Sequence, residues 1–151
     1  MISAYIETTI FNRYFEVGRE FCADTRLLFE KIRNREVEAY TSVYVIGELA
    51  DAPESKRNQM MELINQFDIG VLGPNNVAQE LADIYVKAEI IPLKFRMDGV
   101  HIAMAAVNNL DYIVSLNFRH INKAKTKMVT EAIHKVHGYS SPFICSPAEV
   151  F

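Results

Sequence analysis

The alternation of short β-prone segments with longer amphipathic ones predicts an α/β fold, a three-layer sandwich in which helices flank a mostly parallel five-stranded sheet. Five apolar segments, over residues 2–7, 37–41, 68–72, 112–116 and 143–145, have strand character. One or two stretches of helical period separate each from the next, and parallel strands need such crossover connections, which cover the sheet on both faces. No linker, repeat or low-complexity stretch interrupts the 151 residues, so a single domain is expected over 1–151. A chain of that length buries roughly 68–70% of the surface its unfolded form exposes, enough for a core without staples.

Each element has a local reason. Residues 2–7 (ISAYIE) form a strand, and Thr8 and Thr9 offer capping hydroxyls before the apolar run resumes at Ile10 and Phe11. Over 21–34, Phe21, Leu28, Phe29 and Ile32 fall near helical period, with the charges of Arg26, Glu30, Lys31 and Arg33 on other faces. After the strand at 37–41, Ser42 caps a helix carrying Val43, Val45, Ile46 and Leu49, which puts Glu48 in its second turn. Pro53 sits where a first-turn proline is tolerated, ahead of an amphipathic helix with Met60, Met61, Leu63, Ile64 and Phe67.

The strand at 68–72 runs into the turn residues GPNN at 73–76, and a helix follows over about 77–89, closed by Pro92. Asp98 starts a run of small and apolar residues, Ile102, Ala103, Ala105, Ala106 and Leu110, that predicts a tightly packed helix. Beyond the strand at 112–116, a polar helix over roughly 123–137 ends in a turn at Gly138, and the last strand is 143–145.

Composition excludes several classes. Cys22 and Cys145 lie far apart with no CxxC spacing, which argues against a zinc site or a disulfide framework. No apolar run approaches the ~18 residues of a membrane span and no leader pattern opens the chain, so a cytoplasmic location and no membrane partner are expected. Glycine-rich phosphate loops are missing: GVLG from Gly70 has neither GxGxxG nor GxxxxGK[ST] spacing. The net charge of −3 excludes broad nucleic-acid coating, but the charge is uneven. Between Lys87 and Lys127, Lys87, Lys94, Arg96, Arg119, Lys123, Lys125 and Lys127 face only Glu89, Asp98 and Asp111, so an anionic substrate is steered toward this half unless the bases simply solvate a helix face.

Three acids, Glu7, Glu48 and Asp98, each follow an apolar segment where it turns toward a loop or helix, and Asn117 makes a fourth such position. Residues this far apart meet if each lies at the same edge of a parallel sheet. Clustered carboxylates repel one another and stay ionised only beside a cation such as Mg²⁺ or Mn²⁺, which points to a metal-dependent hydrolase.

The segments YIETTIFNRYF (5–15), the Glu48 helix, MDGVHIAMA (97–105), DYIVSLNFRHI (111–121) and the terminal ICSPAEV resemble, in order and spacing, the successive signatures of PIN domains. The resemblance spans nearly the whole chain and implies a VapC-like toxin fold with a five-stranded parallel sheet. It implies an Mg²⁺- or Mn²⁺-dependent endoribonuclease with an RNA substrate, a cognate antitoxin and homodimeric pairing. Residue by residue, Glu7, Glu48 and Asp98 match the metal-holding acids and Asn117 the fourth catalytic place. Glu7 stands where the family usually has Asp; one extra carbon–carbon bond, ~1.5 Å, moves either the backbone or the ion. In this chemistry the ion's water attacks the phosphodiester in line, without a covalent intermediate.

Other residues carry two readings each. The Thr9 hydroxyl binds at the metal shell or caps a helix. Arg119, His120 and Lys123 hold RNA phosphates or are solvated bases. His101, one turn after Asp98, is a general base or a hydrogen-bonded packing residue and is left outside the catalytic set, and Asp51 is a site acid or a solvated one. The rival functions are a catalytically weakened domain that only binds RNA or protein, and a nucleotide-binding module.

Overall fold

The computed structural model describes residues 1–150; Phe151, the last residue of the expected domain, lies outside the described residues. The sheet contains β1 (Ile2–Ile6), β2 (Val37–Ser42), β3 (Gly70–Leu72), β4 (Tyr112–Val114) and β5 (Phe143–Cys145) in the order β3-β2-β1-β4-β5. Every pairing is parallel. Seven α-helices occur among the described residues: α1 (Thr8–Tyr14), α2 (Cys22–Arg33), α3 (Val43–Leu49), α4 (Glu54–Gln66), α5 (Asn76–Lys87), α6 (Arg96–Val107) and α7 (Ala124–His137). None is long and apolar enough to cross a membrane.

β1 lies at the centre. The chain winds outward from it through β2 and β3, then crosses back to lay down β4 and β5 on the other side. Right-handed crossovers running in these opposite senses place α1–α4 on one face and α5–α7 on the other. The packing agrees: α1 touches α2, α3 and α4, α5 lies along α6, and Tyr85 of α5 meets His134 of α7. The reversal of direction opens a crevice between the carboxyl ends of β1 and β4, the place where open α/β sheets receive ligands.

The central strand is buried on both faces, with Ala4, Tyr5 and Ile6 wholly covered. One layer of the core is aromatic. Phe29 is fully buried and meets Phe11, Tyr14 and Phe67 edge-on, with ring centroids 6.2, 4.9 and 4.9 Å away. Close approach is needed at Gly70, where a Cβ would lie 2.8 Å from Tyr40 Cδ1.

Element boundaries differ from expectation where hydrogen bonding decides them. Neither Thr8 nor Thr9 caps α1; Glu7 holds the N-cap position without a side-chain cap, and both hydroxyls are drawn into the site described below. Pro53 precedes α4 at the N-cap rather than opening it. Expected from residue 68, β3 begins at Gly70 because Asp68 adopts a left-handed φ of 54° and the Ile69 amide still closes α4 by donating to the Ile64 carbonyl. A 3₁₀ turn at Leu93–Phe95 leads directly into α6, so Asp98 is the third residue of that helix, not its start. Ser42 caps α3 as expected, its Oγ accepting from the amides of Tyr44 and Val45.

On the inner face of α7, His134 is buried between Tyr85 and Ser141, and burial pushes its pKa down to about 4. The unfolded chain takes up this proton near pH 6.5 and the fold does not. Stability from this group is therefore complete above pH 6.5 and is lost as pH falls toward about 4. On the order of 3 kcal/mol should disappear over that window, since every tenfold difference in proton affinity between the two states corresponds to about 1.4 kcal/mol. Urea unfolding of wild type and His134→Gln at pH 7.5, 5.5 and 4 checks this: the two stability curves should converge on acidification.

Candidate metal centre

Register brings Glu7 and Ser115 to one edge of the sheet. Ile6 pairs with Val114 at the carboxyl ends of β1 and β4, and the Glu7 amide extends the ladder by donating to the Val114 carbonyl at 3.1 Å. Glu7 and Ser115 therefore leave the sheet side by side, and the Ser115 hydroxyl donates to Glu7 Oε1 at 2.6 Å. Thr9 donates to the same oxygen at 2.6 Å while accepting from the Leu116 amide at 2.9 Å. Glu48 arrives from α3, where the Ser42 cap fixes the start of the helix, and its Oε1 accepts from Thr8 at 2.6 Å.

His101 of α6 completes the group. Its Nε2 lies 2.6 Å from Glu48 Oε1 and its Nδ1 lies 2.7 Å from the Tyr5 hydroxyl, which in turn lies 2.7 Å from Ser42 Oγ. Glu7, Glu48 and His101 each offer a ligand atom within 4.8 Å of the others. Glu7 and His101 are 3% and 0% exposed, whereas Glu48 opens toward solvent. Both carboxylates spend Oε1 on protein donors. Among the described residues, no protein hydrogen bond reaches Oε2 of either.

Electrostatics follow from this packing. Burial raises the pKa of Glu7 despite the opposing pull of His101, Ser115 and Thr9, and the Glu48 charge raises it further. Burial opposes a charge on Glu48 as well, but the hydrogen bond and charge of His101, with Thr8, bring its pKa below the usual range. For His101, burial works against protonation, yet the Glu48 hydrogen bond and the charges of Glu48, Glu7 and Asp98 outweigh it and raise the pKa. The donors are hard oxygens with one imidazole beside them, a set suited to a divalent cation such as Mg²⁺ or Mn²⁺.

The remaining expected site residues take different places. Asp98 is not among the mutually close donor atoms; its Oδ2 pairs with His120 Nδ1 at 2.9 Å, and the His120 ring stacks on Phe95 at 4.2 Å. Asn117 organises the loop after β4, its Oδ1 accepting from the His120 amide and its own amide donating to Ser115 Oγ, both at 3.0 Å. Thr9 orients Glu7. Of the three expected phosphate contacts, Arg119 and Lys123 are exposed, whereas His120 is buried and engaged by Asp98. Asp51 is exposed beyond the end of α3.

His101 is the member sequence reasoning passed over. Its spacing of one helical turn from Asp98 was the available signal, because residues three apart share a helix face. Ser115 and Thr8, which hold the two glutamates, gave none. The chain matches no model of a known protein family, and no curated protein matches it.

Proposed function

We propose that the protein is a metal-dependent endoribonuclease of the PIN-domain kind, working as a VapC-like toxin. The observation that carries the reading is the convergence of Glu7 and Glu48 at the topological switch point, each with Oε1 held by protein donors and Oε2 without one among the described residues. Glu7 and Glu48 would hold Mg²⁺ or Mn²⁺, with Asp98 one turn before His101 on the same helix as the third acid. A bound ion supplies charge neutralisation at the phosphate and an activated water.

The protein's own groups do the rest. Thr9, Ser115 and Thr8 fix the carboxylates in place, so little reordering accompanies binding. Arg119 and Lys123, in and just after the loop that carries Asn117, offer sequence-independent affinity for the RNA backbone. The same resemblance brings a homodimer, an antitoxin that covers the acidic pocket and a cytoplasmic setting into the reading.

One observation favours a second reading. Asp98 spends an oxygen on His120, as a domain that has lost catalysis and only binds RNA or protein would allow. Mn²⁺ calorimetry and cleavage of a labelled RNA, run on wild type, Glu48→Gln and Asp98→Asn, separate the two. For a nuclease, wild type binds Mn²⁺ and cleaves, Glu48→Gln does neither, and Asp98→Asn loses cleavage. A wild-type chain that binds RNA without cleaving it, with or without Mn²⁺, belongs to the second reading.

A further inference from the structure

We propose that His101 is a positioning residue for the cation site and not one of its ligands: its Nε2–H grips Glu48 Oε1 and leaves Oε2 to the ion. The assignment rests on the reading of Glu7 and Glu48 as cation ligands and follows from counting donors along one buried chain of hydrogen bonds.

The chain of hydrogen bonds starts at Ser42. Its Oγ accepts from the amides of Tyr44 at 3.2 Å and Val45 at 3.4 Å, which occupies both lone pairs. The Ser42 proton therefore points at its remaining neighbour, the Tyr5 oxygen 2.7 Å away. Tyr5 is wholly buried and, among the described residues, meets only Ser42 and His101 through its hydroxyl, so with Ser42 donating to it, Tyr5 donates to His101 Nδ1. An imidazole whose Nδ1 accepts carries its proton on Nε2, and the charged ring bears a proton there as well, so Nε2 is a donor in either form. That nitrogen faces Glu48 Oε1 at 2.6 Å, where it can only donate.

The direction of the whole chain, from Ser42 to Tyr5 to His101 to Glu48, is thus set by two backbone amides at the start of α3. Had His101 been built as a ligand, Nε2 would need a bare lone pair. Tyr5 would then accept from both Nδ1–H and Ser42, leaving its own buried hydroxyl proton without an acceptor, an arrangement folded proteins avoid. The network instead makes His101 the second donor on Glu48, beside Thr8, and aims the free oxygen of that carboxylate. The cation's protein ligands are then oxygens only, which suits Mg²⁺ as well as Mn²⁺.

Long-range ¹H–¹⁵N correlation spectra of protein labelled at its four histidines read this directly. In metal-free protein His101 Nε2 should give the signal of a proton-bearing nitrogen, and saturating Mg²⁺ should leave it so. A bare Nε2 without metal, or one that loses its proton to coordination when Mg²⁺ is added, overturns the assignment. Calorimetry with Mg²⁺ adds a second readout. His101→Gln keeps a donor near Oε1 and should hold Mg²⁺ affinity within about threefold, whereas His101→Ala should lose roughly 10–100-fold, as removal of a group that orients a ligand does. Equal loss in both variants means that the ring nitrogen itself is needed and overturns the proposal. Should His101→Ala fail to fold, the spectra and the Gln variant still decide. Wild type that binds no Mg²⁺ refutes the cation reading of the site, while the metal-free spectrum still settles where the His101 proton sits.

Discussion

Replacing Glu7 by Gln is expected to abolish divalent-cation binding and to lower RNA cleavage on the order of 10²–10³-fold, as loss of a group supporting transition-state charge does, while making the fold more stable. Burial is the chief cause of the raised Glu7 pKa, and the charge of Glu48 works in the same direction. An acid with a raised pKa holds its proton more tightly in the fold than in the unfolded chain. Its stabilising share is complete below the unfolded value near 4.5 and is lost as pH rises through the folded value. At neutral pH Glu7 therefore costs the fold stability, and Gln removes that cost. Its amide oxygen can still accept from Thr9 and Ser115. Thermal unfolding without metal should show Glu7→Gln above wild type at pH 7.5 and level with it near pH 4. A variant that melts below wild type at pH 7.5 contradicts this, and one that still binds Mn²⁺ contradicts the role of Glu7. Such an exchange of stability for function is common.

The largest loss of stability is expected from Phe29→Ala, about 3–5 kcal/mol, the range for truncating a buried aromatic ring. Phe29 has no exposed surface and is in edge contact with Phe11, Tyr14 and Phe67, so its removal leaves a hole bounded by rigid rings rather than by flexible chains that could close it. Urea unfolding of wild type and variant measures the difference. A cost under about 1 kcal/mol would mean that α1 and α2 shift to fill the space.

Local chemistry explains which parts of this architecture were legible in the chain. Ser42 announced the start of α3 because a hydroxyl at an N-cap satisfies amides wherever the helix is placed, and that alone put Glu48 in the second turn. The strands were readable from β-prone runs, and β5 appears with its expected bounds. Asp68 misled because its left-handed φ belongs to the closure of α4, which no strand pattern reveals. Thr8 and Thr9 misled for a related reason: a threonine hydroxyl caps or donates according to what lies nearby, and their partners are glutamates brought in by the sheet and by α3.

At the site, sheet topology made Glu7 and Glu48 predictable, since their positions follow from backbone register and a helix start. Asp98 and His101 depend instead on how α6 is rotated. Its apolar residues surround the helix on nearly all sides, with Val100, Ile102, Ala103, Met104, Ala105 and Ala106 all buried, so periodicity gives no facing direction. The rotation found in the structure carries His101 to Glu48 and leaves Asp98 to His120.

A crystal structure determined after soaking in Mn²⁺, with an anomalous difference map, tests the proposed centre most directly. The expected peak lies at the carboxyl ends of β1 and β4, about 2–2.5 Å from Oε2 of both Glu7 and Glu48. A map without a peak between these two carboxylates, from crystals in which they remain free of lattice contacts, would contradict it.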